Sequence, residues 1–252
     1  MNNKLFGTLA VAGALLLTSS AQAQDRFGAK GQMAFSADRL FGFYGYSAST
    51  SYDVPNVGEY EFKQGGSEFS LLWGPSSVPG IFAVNPYATP RLSFDYFVID
   101  GLSVGGSIAY AKAGGEYKQE KGPPNTVLAP SSDTPEVRMF AFSPRVGYAY
   151  MFSDIIGIWP RGGFTYAQLT TEEQVGDREE ETSKVFSLDI EAMLVIVPKQ
   201  HFAFVVGPVI DFGLTGSSKH KETPMPAVNR PDWDRDAKLH TYGIAAGMLG
   251  YF

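Results

Sequence analysis

There is no cysteine among the 252 residues. Disulfides, thiolate metal sites and thiol nucleophiles are therefore excluded. Charge is scarce as well. Asp, Glu, Lys and Arg make up 18% of the chain, against about 25% for an ordinary globular protein. The balance is acidic, at −6. A nucleic-acid partner calls for a basic patch, so that class is set aside. Histidine occurs three times, as His201, His220 and His240, with no metal-ligand spacing. No G-x-S-x-G, P-loop or Cys motif is present. Beyond the first residues no apolar run reaches the roughly 18 that a spanning helix needs. These shortages point to no cofactor and to no catalytic set.

The first residues read "MNNKLFGTLAVAGALLLTSSAQAQD". Lys4 is the positive start, Leu5 to Leu17 the apolar stretch, and Ala21-Gln22-Ala23 a small-x-small cleavage site. This pattern predicts a secretory signal peptide over 1–23 and a single mature domain over 24–252. Removing the signal takes away Lys4 and no acid, which moves the net charge from −6 to −7. An exported chain without cysteine must hold itself together by packing and hydrogen bonds alone.

Glycine (28), phenylalanine (19) and tyrosine (13) are abundant, and apolar residues recur with period two. In "RLSFDYFVID", Leu92, Phe94, Tyr96 and Val98 share one face, with Arg91, Ser93 and Asp95 opposite. "FAFSPRVGYAYMF" sets Phe140, Phe142, Val146, Tyr148 and Tyr150 against Ser143, Arg145 and Gly147. "VFSLDIEAMLVI" and "FAFVVGPVIDFGLTG" repeat the pattern, with Asp189, Glu191 and Asp211 on the second face. One face is bulky and apolar. The other carries Gly, Ser, Ala and scattered charges, too small for a good solvent surface but suited to a narrow interior. The bulky face then meets lipid, and among strand structures only a closed barrel spans a bilayer.

Short turns are expected at Asp100-Gly101, Ser153-Asp154 and Pro198-Lys199-Gln200, and long connections over 50–87, 114–135, 172–183 and 217–237. Strict alternation of short and long connections gives eight crossings with both chain ends on the short-turn side. The predicted fold is all-β: an antiparallel up-and-down transmembrane β-barrel of eight strands. An alternative of ten splits 31–48 at Asp38-Arg39 and adds a strand at "SEFSLLW". In the eight-strand reading Asp38-Arg39 marks a bulge and "SEFSLLW" belongs to a raised hairpin in the first long connection. Pro144, Pro160 and Pro208 fall mid-strand, and bulges are expected at each. "PRLSFDYFVID" and "PRVGYAYMFSD" echo one another, as suits a meander. Aromatic girdles are expected from Tyr46, Tyr87, Tyr110, Phe140, Tyr166, Phe186 and Tyr242 at the loop ends. Phe97, Phe152, Phe202, Tyr251 and Phe252 would supply the turn ends.

The last strand, "TYGIAAGMLGYF", puts Tyr242, Ile244, Ala246, Met248 and Phe252 on one face. It resembles the C-terminal assembly signal of outer-membrane barrels, although Gly250 stands where a bulky residue is usual. The chain as a whole resembles the small OmpA/OmpX-type class. That resemblance implies residence in the bacterial outer membrane, contact with its lipid and lipopolysaccharide, and recognition of the last strand by the barrel-assembly machinery.

The candidate site is the set of inward charges: Arg91, Asp95, Arg145, Arg161, Asp189, Glu191 and Asp211. Buried charge is tolerated only when paired or hydrated. The set is either a plug of mutual ion pairs filling the interior or a polar relay along a narrow path. The functional reading is a non-enzymatic barrel with an occluded interior and a structural or surface-interaction role. Its alternatives are a narrow channel for small solutes or ions, and a lipid-modifying enzyme. His220 and His240, with Asp232, Asp234 or Asp236, are the acid–base or metal candidates for the last. The acidic "TTEEQVGDREEE" reads as a solvated loop, or as one that binds divalent cations or a basic surface partner.

Overall fold

The computed structural model describes residues 26–54, 58–72, 84–114, 116–117, 132–133, 135–175, 177–223 and 233–252. The expected signal peptide and the tips of several connections lie outside them. The described strands are β1 (Met33–Val54), β2 (Gly58–Leu71), β3 (Arg91–Phe97), β4 (Leu102–Ala113), β5 (Glu116–Tyr117) and β6 (Ser132–Asp133). They continue with β7 (Glu136–Tyr148), β8 (Tyr150–Met151), β9 (Ile156–Val175), β10 (Asp177–Lys199), β11 (Phe202–Thr223) and β12 (Trp233–Tyr251). Apart from the small β5–β6 pair, all belong to one ten-stranded antiparallel sheet that closes on itself through β1–β12 and β9–β10.

Ten strands fill eight positions in the wall. β12 runs along one side of β1 from Ala34 to Ser51. On its other side β1 pairs with β2 above, from Phe41↔Leu71 to Val54↔Gly58, and with β3 below, from Met33↔Tyr96 to Asp38↔Arg91. Both are antiparallel to β1, so β2 and β3 run the same way and share one wall position. β8 likewise resumes the line of β7 after Ala149, pairing with β9 in the same register as β7 does. The sheet thus has ten strands in eight wall positions, but not by the expected split of 31–48: β1 runs unbroken from Met33 to Val54 through Asp38-Arg39, and the two extra strands are β2 and β8. "SEFSL" lies in the lower part of β2, reaching down to the level of Phe41.

Alternation sorts the side chains as the period-two pattern predicts. Leu92, Phe94 and Tyr96 face outward and Arg91, Ser93 and Asp95 are buried; the same holds for Phe140, Phe142 and Val146 against Ser143 and Arg145. A bulky apolar exterior around a polar centre reverses the arrangement of a water-soluble barrel. Four aromatics assigned to girdles prove to be internal. Tyr46, Tyr87, Phe97 and Tyr251 are at most 8% exposed; the first, third and fourth share parity with the inward face, and Tyr87 belongs to a segment between β2 and β3 that is buried throughout. Tyr110, Phe140, Tyr166, Phe186, Tyr242 and Phe152 do face outward.

The mid-strand prolines bring no bulge. Pro144 pairs with Gly106, Pro160 with Ala192 and Pro208 with Ile244, all without a register shift. On the opposite side of each proline the recorded pairing skips a step and resumes in the same register. A missing N–H costs one ladder bond, and the long neighbouring strands hold the register without it. Bulges lie elsewhere, notably in β1 between Ala37 and Phe41.

Several expected connections are strand. β9 and β10 have 20 and 23 residues, about twice what a tilted strand needs to cross a bilayer. Their pairing continues to Val175↔Asp177, so the acidic stretch belongs to an extended hairpin. β11 runs on to Thr223. The third short turn is tighter than expected, because Pro198 and Lys199 complete β10 and only Gln200 and His201 turn.

The interior is layered. At the turn end, residues 26–32 enter the barrel, and Phe27 meets Phe97, Trp159 and Tyr251 edge-on at centroid distances of 5.3, 5.4 and 5.2 Å. Gly31 N and Gly101 N bond Phe97 O and Gly28 O, sewing this segment to the first turn. Toward the loop end a second apolar cluster gathers Tyr46, Val84, Tyr87, Met139, Leu169, Val185 and Leu239. Val84 and Tyr87 belong to a segment, 84–90, buried inside the wall. The charges lie between these clusters.

A ring closed by hydrogen bonds over its whole circumference opens cooperatively. The mature protein in cold detergent is expected to migrate as a compact band in gel electrophoresis and to shift to its full apparent mass after boiling. A soluble protein with a single heat-independent band contradicts the inside–outside assignment.

Candidate functional site

The middle layer is built around an irregularity in β1. Between Ala37↔Met248 and Phe41↔Ala246 the strand carries two extra residues. Arg39 takes up the surplus with φ of 56°, a left-handed conformation that costs a non-glycine residue about 1–2 kcal/mol. As a result Asp38 and Arg39, adjacent in sequence, are both buried, each 1% exposed. A regular strand would send one of them to lipid. Gly247 makes room for the bulge: a Cβ there would lie 2.4 Å from Ala37 O.

From this bulge an unbroken series of ion pairs crosses the interior. Asp95 holds Arg145 through Nε at 3.1 Å and Nη2 at 2.5 Å. Arg145 Nη1 reaches Asp38 Oδ2 at 2.6 Å, and Arg161 Nη1 approaches the same oxygen at 3.3 Å. Arg161 Nη2 lies 2.6 Å from Glu191 Oε2, and Glu191 Oε1 accepts from Arg39 Nη2 at 2.8 Å. Arg39 ends the series with a two-pronged grip on Asp211, both contacts at 2.8 Å. The order is Asp95, Arg145, Asp38, Arg161, Glu191, Arg39, Asp211, with signs alternating throughout. Paired guanidinium–carboxylate contacts of this kind combine charge with directional bonding.

Arg91 and Asp189 stand beside the series, 3.7 Å apart, and hydroxyls link them. Arg91 Nη1 donates to Ser143 Oγ at 3.0 Å and to Thr165 Oγ1 at 3.2 Å. Thr165 and Ser187 in turn donate to Asp189. Beneath the layer, Arg161 lies 4.7 Å from the centroid of the Trp159 ring, and Trp159 Nε1 donates to Ser103 Oγ at 3.1 Å. Gly147 leaves space for that indole, since a Cβ there would sit 2.6 Å from Nε1. Above the layer, Arg39 Nη1 also donates to the carbonyl of Tyr87, tying the inserted segment 84–90 to the charges. Asn85 anchors it further, through Glu68 and Thr241.

The structure places Arg91, Asp95, Arg145, Arg161, Asp189, Glu191 and Asp211 in one layer, none more than 8% exposed. The sequence reading had not included Asp38 and Arg39, which complete the series. Their signal was visible as two opposite charges interrupting the alternation of the first strand. Phe27, Trp159, Tyr87 and the hydroxyls of Ser143, Thr165 and Ser187 carried no such signal. In β12, Tyr242, Ile244 and Met248 are exposed on the outer face, with Ala246 and Phe252 half-buried.

The histidines do not converge. His201 closes the last short turn, with Nδ1 against Tyr251 O at 2.8 Å and its ring stacked on Phe252. His240 accepts from Gly213 N at 3.2 Å. His220 pairs in register with Trp233, seven residues from His240 along β12, or about 23 Å of strand. Asp232 lies outside the described residues. Among the described residues no group of three or more His, Asp and Glu is placed to hold a metal ion.

No protein-family model matches the sequence, and a comparison with curated proteins gave no match. Solved structures do match. The outer-membrane protein OprG of Pseudomonas aeruginosa aligns over 90% of this chain and 99% of its own, at 12% identity and a TM-score of 0.51. The chain has the fold of a small outer-membrane β-barrel protein. Also similar are AlkL, solved in lipid bilayers (94% and 97% covered, 10% identity, TM-score 0.48), and the outer-membrane protease OmpT of Escherichia coli (92% and 100%, 11%, 0.45). At such identities the likeness is one of architecture.

Removing one partner from a buried ion pair strands the other. Asp38→Ala, which leaves both Arg145 and Arg161 short of an acceptor, is expected to cost about 3–5 kcal/mol of unfolding free energy. Ser103→Ala, which removes only the acceptor of the Trp159 N–H, should cost about 1 kcal/mol. Urea unfolding in lipid vesicles, followed by tryptophan fluorescence, compares the two. Equal and small losses would mean that the charged layer does not hold the barrel together.

Proposed function

We propose that the protein is a non-catalytic integral outer-membrane barrel with a closed interior, acting as a structural or surface-interaction element. The observation that carries this reading is the sandwich inside the wall. A charged layer whose carboxylates and guanidiniums grip each other is bounded by the Phe27 cluster at one end and the Tyr46–Leu239 cluster at the other. An eight-position barrel has an interior just wide enough for its own side chains, and here aromatic rings and arginines occupy it. A relay or conducting path would require both apolar ends to part. In this reading the seven predicted charges, with Asp38 and Arg39, serve as a plug that fixes the strands.

The surface role falls to the strands that overrun the membrane. β9, β10 and β11 continue together beyond the barrel. An exposed ion-pair group of Lys112, Glu136, Arg138 and Glu172 crosses β4, β7 and β9 at their base. Lipid and lipopolysaccharide against the outer face are the partners that follow. The barrel-assembly machinery at Tyr242, Ile244, Ala246, Met248 and Phe252 is another.

Planar-bilayer recording tests the closed interior. Purified protein is expected to leave the membrane silent across a range of salt concentrations, whereas steady, salt-dependent current steps would make it a channel. A deletion strain is expected to keep its lipopolysaccharide composition by mass spectrometry; an altered acyl or phosphate pattern would favour an enzyme.

A further inference from the structure

The middle layer contains one spot lined by buried polar atoms that have no hydrogen-bond partner. Arg91, Ser107 and Arg161, each 3% exposed, line a small cavity together with Asp189 and Glu191. Arg91 directs Nη1 to Ser143 and Thr165, but its Nε and Nη2 have no protein partner, nor do Ser107 Oγ and Arg161 Nε. Of the carboxylates lining the same cavity, Asp189 accepts from Ser187 and Thr165, and Glu191 Oε1 accepts from Arg39. Glu191 Oε2 lies 2.6 Å from Arg161 Nη2 but accepts no hydrogen bond. The spot therefore holds unpartnered donors and one unpartnered acceptor that do not satisfy each other. Buried polar groups are seldom left so.

Size and charge identify the occupant. The cavity measures about 10 Å³, close to the room that one water takes, and its polar partners match the three or so that a buried water usually has. A halide ion would be larger and would also carry the wrong sign. The layer holds five acids (Asp38, Asp95, Asp189, Glu191, Asp211) and four arginines (Arg39, Arg91, Arg145, Arg161), so an anion would widen an existing excess of negative charge. A neutral acceptor does not.

We propose that this cavity is a binding site for a single captive water. Its two lone pairs accept from guanidinium N–H groups of Arg91 and Arg161, one of its protons goes to Ser107 Oγ and the other to Glu191 Oε2. The water then joins the Arg91–Asp189 group to the series of seven charges, so that all nine charged residues form one network.

Crystals of the full mature protein grown in sodium bromide, measured at the bromine absorption edge and at high resolution, test the site directly. The expected result is one water-sized peak within hydrogen-bond distance of Arg91 Nε and Ser107 Oγ, without anomalous signal. A bromine peak there would make it an anion site, and no density would make it a dry cavity; either overturns the proposal. A second measurement compares Ser107→Val, whose methyls fill the cavity and expel the water, with Ser107→Ala, which leaves room for it. The temperature at which the compact gel band is lost should fall about 5 °C further for valine than for alanine. An equal or higher value for valine would also overturn it.

Discussion

An ionised side chain carried into a barrel must meet its counter-charge there, because neither lipid outside nor packed side chains inside can replace its water. In this protein that requirement shapes the wall itself. Arg39 adopts a conformation that β-strands avoid, and its contacts explain why the conformation persists. The two-pronged grip on Asp211 and the contact with Glu191 are available only if Arg39 turns inward beside Asp38. The bulge in β1, the glycine opposite it and the exchange of neighbours from β3 to β2 all occur within a few residues of that point. The ring closes on the strand that carries its most constrained residue.

Much of this was legible before any coordinates. The period-two pattern is strong because the two faces differ so much in bulk, and a one-residue slip would turn the outward aromatics of that strand inward. Inward positions such as Arg91, Asp95 and Asp211 follow from that parity alone. The bulge at Asp38-Arg39 was visible as a break in the pattern, yet that both residues would turn in depended on partners more than 100 residues away. Prolines misled because their cost was read locally, whereas strands of 13 to 22 residues keep register across a single missing bond. Tyr46, Phe97 and Tyr251 misled for a related reason. An aromatic near a strand end suits a girdle or an interior cap equally, and parity, not residue type, decides between them. Tyr87 misled because it lies in no strand at all.

The layers also divide the work. The apolar clusters exclude water from both ends, which strengthens every contact between them by lowering the local dielectric. The charged layer in turn sets specificity, since each carboxylate has few geometrically acceptable guanidiniums. Phe27 and Tyr87 come from segments outside the regular wall, one before β1 and one between β2 and β3. Both are placed late in any plausible order of construction, because a ring must exist before its interior can be stoppered. The wall is thus specified by alternation along the strands, and the interior by segments that alternation does not describe.

Because β2 and β3 descend in the same direction along the same flank of β1, everything between Leu71 and Arg91 is a detour from a single line of descent. A chain that leaves a wall and rejoins it at the same place adds nothing to the strand count. It changes neither the direction of any later strand nor the side on which the chain finishes. Exchange at such a point is bounded by the interior rather than by the wall. Val84 and Tyr87 fill the barrel, and Arg39 and Thr241 hold the Tyr87 carbonyl and Asn85, so segments of different length or composition leave the ring untouched only where that buried part is kept.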